Sequence, residues 1–258
     1  MFRKLLKNDL KTAWKFLWVL WLMAISAAAV GVGMMRIISA AENTTLIAVG
    51  TLTMTAVAFT IFGSWVASLF LLLGSFYKSR FTDQGYLTFT LPVSTHDVLL
   101  SSYLTSALGI VVSALVTVLS FGIMLFFGIS DFDGQRVQMI GMCFQRLPEL
   151  IDIFGGWNIV LFAVYILVAA LSELVTVMLA ITIGAAIAKK HKIFSAIAVY
   201  YGIHMVLSFI YGTGLVATSV TTGKFQYFLL GQSGLFLVFG VGAYFLMHYL
   251  VNKKLNLN

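Results

Sequence analysis

Two ionisable side chains, Glu173 and His204, lie deep inside long apolar stretches of this 258-residue chain. Carboxylates and imidazoles inside a membrane bind ions or substrates and relay protons. An ionised carboxylate at the centre of a bilayer costs at least about 2.5–3.5 kcal/mol unless it is paired or hydrated. We therefore expect Glu173 to face other helices or water. The two residues either line a substrate pathway, or serve as interior groups whose hydrogen bonds join helices.

Sequence motifs of soluble enzymes are missing from the chain. It has no Gly-rich loop ending in Lys-Ser or Lys-Thr that would hold phosphates, no His-Glu-x-x-His and no Gly-x-Ser-x-Gly. Cys143 is the only cysteine, so neither a disulfide within the chain nor a cysteine metal cluster is expected. The histidines fall on different segments, at His96, His191, His204 and His248. The sequence therefore predicts neither catalytic residues nor a metal site, and we expect that the chain is not an enzyme.

The most informative polar stretch covers residues 77–100. Pro92 disfavours helix in the residue before it, and Ser94 followed by Asp97 resembles a capping box at the start of a helix. Residues 82–91 are thus separated as a short element, which we call the 82–91 segment. Its apolar side chains predict a contact with a cytoplasmic partner or with the membrane interface. The contact residues that we expect are Asp83, Gln84, Gly85, Tyr86, Leu87, Phe89 and Leu91.

The elements that position these residues are long apolar helices. Hydrophobic residues make up 60% of the chain and charged residues 10%, and the mean hydropathy is +1.00. Soluble domains are roughly 45–50% apolar and about 25% charged. Apolar runs longer than the roughly 18–20 residues that cross a bilayer, without the alternation of barrel strands, predict an all-α integral membrane protein. We expect one transmembrane domain over 1–258, with spans at about 16–35, 46–76, 99–130, 157–188, 193–212 and 227–250.

Positive charges predict the orientation of the six spans. If the N-terminus is cytoplasmic, the inner segments hold 12 of the 16 Lys and Arg residues. The four outer ones are Arg36, Arg136, Arg146 and Lys224. Because positive residues near span ends stay on the cytoplasmic side, we expect both termini to lie inside. This distribution also explains the net charge of +7 without a nucleic-acid partner.

The first residues of the chain have an amphipathic pattern. Lys11 and Lys15 alternate with Leu10, Trp14 and Phe16. Such a pattern favours a short helix that lies at the membrane interface and leads into the first span. The lipid bilayer itself is therefore an expected partner of the chain.

The 82–91 segment and its surroundings resemble the cytoplasmic loop of ABC-2-type ABC transporter permeases. Gln84-Gly85-Tyr86-Leu87, Leu91-Pro92-Val93-Ser94 and Leu99-Leu100 carry the resemblance, which extends to six spans and an amphipathic N-terminal helix. The chain departs from that family at two places. Thr88 stands where an acidic residue is common, and Ser101-Ser102 stands where Gly-Lys is common. The resemblance implies that the 82–91 segment is a coupling helix that contacts a separate cytoplasmic ATPase. It also implies that ATP and Mg bind to that ATPase, that this chain binds no cofactor, and that a second permease copy or a homologous permease completes the assembly.

These features favour two kinds of transport. The first is an exporter subunit in a bacterial cytoplasmic membrane, which moves a hydrophobic or amphipathic peptide, lipid or drug by alternating access. Family analogy adds antimicrobial-peptide export as an example. The alternative is an ion-coupled secondary transporter or channel that uses Glu173, although ion relays usually contain more ionisable groups than these spans hold. An intramembrane enzyme or a scaffold is a third possibility, weakened by the lack of paired catalytic residues.

Overall fold

A computed structural model has, among the residues that it describes, six α-helices that are each long and apolar enough to cross a membrane. The structure describes residues 2–82, 94–128, 141–142, 145–146, 148–149, 151–152, 155–188, 191–222 and 225–254. The long helices are α1 (Phe2–Ala40), α2 (Thr44–Phe81), α3 (Thr95–Gly128), α4 (Gly156–Ile187), α5 (Lys192–Thr222) and α6 (Phe225–Lys254). Within these ranges there is no β-strand. The chain is thus an all-α, multi-pass membrane protein by the length and composition of its helices, as the apolar runs predict.

Helix α1 joins the amphipathic stretch and the first span in one element. Its 39 residues extend for about 58 Å at about 1.5 Å per residue, almost twice the thickness of the hydrocarbon core. The amphipathic pattern predicted a short helix that leads into the first span, whereas the structure has one continuous helix. No Pro occurs in α1 and its first Gly is Gly31, so nothing in the sequence interrupts the helix where the two parts meet.

Side-chain caps explain where α2 and α3 begin. Asn43 Oδ1 accepts a hydrogen bond from the backbone N–H of Thr45 at 3.0 Å. Ser94 Oγ accepts one from the backbone N–H of Asp97 at 3.1 Å. Both caps satisfy backbone donors that a helix leaves free in its first turn. The helix start that the Ser94 and Asp97 pattern predicts is therefore confirmed.

The helices divide into two compact units, each with its own packing. Unit 2 consists of Lys7–Leu72 and Thr105–Glu149. Its two clusters of buried apolar side chains are Ala28, Val57, Ile61 and Met124, and Ala13, Leu17 and Leu72. Trp21 adds a polar contact, because its Nε1–H donates to Ser113 Oγ at 2.9 Å. In unit 2, α1 is therefore held against α2 and α3 mainly by apolar contacts.

Unit 1 contains every candidate functional group described below. It consists of Met1–Leu6, Leu73–Leu104 and Leu150–Asn258, and in it α4 packs against both α5 and α6. Helix α4 approaches α5 closely at Gly184, where an added Cβ would lie 2.5 Å from Ala196 Cα. Small residues allow helices in a membrane to approach this closely. Gly184 lies three helical turns beyond Glu173 on the same side of α4, so this contact also sets the distance between Glu173 and α5.

We expect Gly184→Ala to destabilise the protein by about 1–3 kcal/mol, because the new methyl group must push the backbone of α5 away. Gly202→Ala is the matched control on α5, since no heavy atom lies within 4 Å of a Cβ there. Denaturant titration in mixed micelles measures both effects. Equal stability of the two variants would contradict the close packing of α4 on α5.

Candidate functional site

Glu173 lies near the middle of α4, far from both ends of the helix. It is 14 residues from the last residue, Ile187, or about 21 Å along the axis, and still farther from Gly156. A carboxylate at this position has no water available from the ends of its own helix. It therefore needs partners within the protein or a water-filled cavity.

Two side chains of α5 provide those partners. The hydroxyl of Tyr200 donates to Glu173 Oε1 at 2.7 Å, and His204 Nε2 lies 3.0 Å from the same oxygen. Tyr200 and His204 are four residues apart, which places both on one face of α5. Their rings are also in contact, with centroids 4.3 Å apart. We call Glu173, Tyr200 and His204 the α4–α5 polar cluster.

The polar cluster agrees with the expectation that Glu173 faces another helix, and it brings Glu173 and His204 together. Tyr200 was not singled out in the sequence, although its spacing from His204 is a signal that could have found it. The side chain of Glu173 is 39% exposed and that of His204 is 32% exposed. The cluster thus joins two helices while part of it stays accessible.

A second group of polar contacts fixes the end of α2 to the start of α3. Arg80 is buried, with 4% of its surface exposed. Its guanidinium donates to Ser102 Oγ from Nε at 3.1 Å and from Nη2 at 2.8 Å, and Nη2 lies 3.4 Å from the carbonyl of Val98. From the sequence, Arg80 was expected only to be an inner positive charge. In the structure it holds together the two helices on either side of the 82–91 segment.

Helix α5 is attached to the same place. Lys192 Nζ donates to the carbonyl oxygen of Phe81, the last residue of α2, at 3.2 Å. The Phe81 ring packs against the rings of Phe76 and Tyr77. The end of α2 is thus linked to the starts of α3 and α5 next to the 82–91 segment. The predicted contact residues themselves lie outside the residues that the structure describes, namely Asp83, Gln84, Gly85, Tyr86, Leu87, Phe89 and Leu91.

An apolar cleft of about 330 Å³ lies among α3, α4 and α6 of unit 1. Its lining includes Tyr103, Ser172, Phe236, Gly240 and Tyr244. The hydroxyls of Ser172 and Tyr244 are buried and have no hydrogen-bond partner among the described residues. Gly240 allows α6 to approach α4, because a Cβ there would lie 3.1 Å from Ser172 Oγ. The volume is at the lower end of the roughly 300–1,000 Å³ of ligand pockets, and the lining suits an apolar group.

The histidines are less scattered than their sequence positions indicate. The rings of His96 and His248 have centroids 6.0 Å apart, and that of His96 lies 5.7 Å from the ring of Tyr244. In the part of the chain that the structure describes, no three His, Cys, Asp or Glu residues are grouped so that they could hold a metal ion. His96 and His248 thus form an aromatic contact between α3 and α6.

Comparisons with protein-family models, curated proteins and solved structures found no match to this chain.

Proposed function

We propose that this chain is the membrane subunit of an ABC-2-type exporter and that a separate cytoplasmic ATPase drives it. The observation that carries the proposal is the linkage next to the 82–91 segment, where Arg80 joins α2 to α3 and Lys192 joins α5 to α2. A partner that displaces the segment would move the ends of three helices together. Packed helices respond to such a displacement by rigid-body shifts rather than by gradual deformation.

The proposed orientation puts this linkage on the cytoplasmic side, where an ATPase can reach it. Most Lys and Arg residues then lie inside, including Lys78, Arg80 and Lys192. We infer that ATP and Mg bind to the ATPase and that this chain supplies the pathway. A second permease copy or a homologous permease completes the assembly in this proposal.

The proposed substrate class follows from the composition of unit 1. The cleft among α3, α4 and α6 is lined mainly by apolar side chains, and none of the described residues that line it is charged. Such a lining accepts a hydrocarbon or aromatic group more readily than a bare ion. We therefore propose a hydrophobic or amphipathic substrate, such as a peptide, lipid or drug.

The second candidate function is ion-coupled transport or a channel, and the α4–α5 polar cluster is the observation that favours it. Glu173 and His204 are a carboxylate and an imidazole in contact near the middle of two apolar helices. Groups of this kind transfer protons in many membrane proteins. The two candidate functions differ in their energy source, which can be tested directly.

The test is uptake into inside-out vesicles that contain this chain with or without a candidate cytoplasmic ABC ATPase. The probes are a fluorescent amphipathic peptide, a short-chain fluorescent phospholipid and a lipophilic dye. We expect uptake of at least one probe to require both chains and hydrolysable ATP. Uptake driven by a proton or sodium gradient in vesicles that lack the ATPase would contradict the proposal and favour the second candidate.

A further inference from the structure

The two carboxylate oxygens of Glu173 have different surroundings. Oε1 is within hydrogen-bond distance of both Tyr200 and His204. Within the described part of the chain, Oε2 has no hydrogen-bond partner, and no Lys or Arg forms an ion pair with Glu173. A carboxylate oxygen accepts hydrogen bonds from about two directions, so Oε2 retains its full capacity to bind a donor.

Glu173 lies far from the ends of α4, and its side chain is partly exposed. The residue is about 21 Å from the nearer end of α4, and 39% of its side chain is exposed. Tyr200 and His204 hold the carboxylate in one orientation, which fixes the direction of Oε2. A cationic group beside Oε2 would offset the cost of a carboxylate at this depth.

Aromatic rings close to Glu173 add a second attraction for a cation. The Tyr200 ring lies against His204, and the Tyr201 ring lies 5.8 Å from that of Tyr200. Tyr201 is 68% exposed. Tyrosine faces attract ammonium groups within about 6 Å of the ring centroid. Helix α5 thus offers an exposed tyrosine ring next to Tyr200, which donates to Glu173.

We propose that the α4–α5 polar cluster binds the ammonium group of a cationic amphipath through Glu173 Oε2. The cationic group lies at Glu173, and its hydrocarbon part lies along the exposed apolar side chains of α5, such as Met205 and Phe209. Calling this molecule the transported substrate rests on the proposed exporter function. The binding itself requires neither the ATPase nor transport.

Binding of two probes with the same hydrocarbon chain tests the proposal. Dodecylammonium carries the charge and dodecanol does not, and both are offered to the full chain in nanodiscs of uncharged lipid. After correction for partitioning into empty nanodiscs, we expect dodecylammonium to bind about tenfold more tightly than dodecanol. Glu173→Gln removes the charge but keeps an oxygen for Tyr200 and His204. It is expected to remove that preference and to leave dodecanol binding unchanged.

Two further variants make the result specific to Glu173. Glu42→Gln removes the same charge from an exposed position in the α1–α2 connection and should keep the preference for dodecylammonium. Glu173→Asp retains the carboxylate and should keep the preference with weaker binding. The same preference for dodecylammonium in the wild-type protein and in Glu173→Gln would overturn the proposal. An equal loss of binding of both probes in Glu173→Gln would also overturn it, because Glu173 would then act only as a support between helices.

The binding assay and the uptake assay can fail independently. Loss of ATP-driven uptake with the ammonium preference intact would contradict the exporter function only. ATP-driven uptake without any ammonium preference would contradict this inference only.

Discussion

Arg80→Ala is expected to destabilise the protein by about 2–4 kcal/mol and to weaken the response of the membrane helices to the ATPase. The guanidinium is buried, and it donates two hydrogen bonds to Ser102 Oγ. Hydrogen bonds from a charged donor contribute about 1.5–3 kcal/mol each, and truncation to Ala also leaves a cavity. Denaturant titration in mixed micelles measures the change in stability. The rate of ATP hydrolysis in the assembled complex measures the change in coupling.

Lys78→Ala is the matched control for this prediction. Lys78 belongs to the same last turns of α2 and carries the same charge, but its side chain is exposed. Its removal should change stability by less than about 0.5 kcal/mol. Arg80→Lys keeps the charge without the planar fork of donors, so an intermediate loss is expected. Wild-type stability and coupling in Arg80→Ala would show that the linkage of α2 to α3 does not depend on this residue.

The helices were predictable because apolar runs of this length have few alternatives to crossing a membrane. The start of α3 was predictable as well, since Ser94 and Asp97 form a local pattern whose hydrogen bond does not depend on tertiary contacts. The predicted spans do not give the ends of the helices. The fifth span was predicted to end at 212, whereas α5 continues to Thr222, because hydropathy marks the apolar part of a helix and not its last hydrogen bond.

The contacts of the candidate site were only partly predictable. The cost of a carboxylate in the membrane required a partner for Glu173, yet it did not say which of several polar residues would provide it. Tyr200 and His204 reach Glu173 because α5 packs against α4, with Gly184 close to Ala196. The sequence does not show this tertiary contact. The burial of Arg80 was missed because a Lys or Arg at the end of a span is usually a solvated positive charge.

The double substitution Tyr86→Asp with Leu87→Asp is expected to abolish binding of the ATPase. Both residues belong to the 82–91 segment, and the proposal gives them the role of apolar anchors in the interface between the two proteins. Apolar anchors at the centre of an interface each contribute about 2 kcal/mol or more, so losing two of them lowers affinity by about a thousandfold. Neither residue belongs to a predicted span, so insertion into the membrane should be unchanged. The added charges would also weaken any contact of the segment with lipid.

A control for charge is available at the end of α6. Asn252 and Lys253 are both exposed, and Asn252→Asp with Lys253→Asn lowers the net charge by the same two units as the first double substitution. This control variant should bind the ATPase as the wild-type protein does. It separates loss of specific anchors from general repulsion between the two proteins.

Co-purification of the ATPase with the wild-type chain and with both double variants tests whether the 82–91 segment binds the ATPase. We expect the ATPase to be recovered with the wild-type chain and with the α6 control but not with the Tyr86 and Leu87 variant, while all three insert equally into membranes. Undiminished recovery of the ATPase with the Tyr86 and Leu87 variant would contradict the claim that the 82–91 segment couples the two proteins.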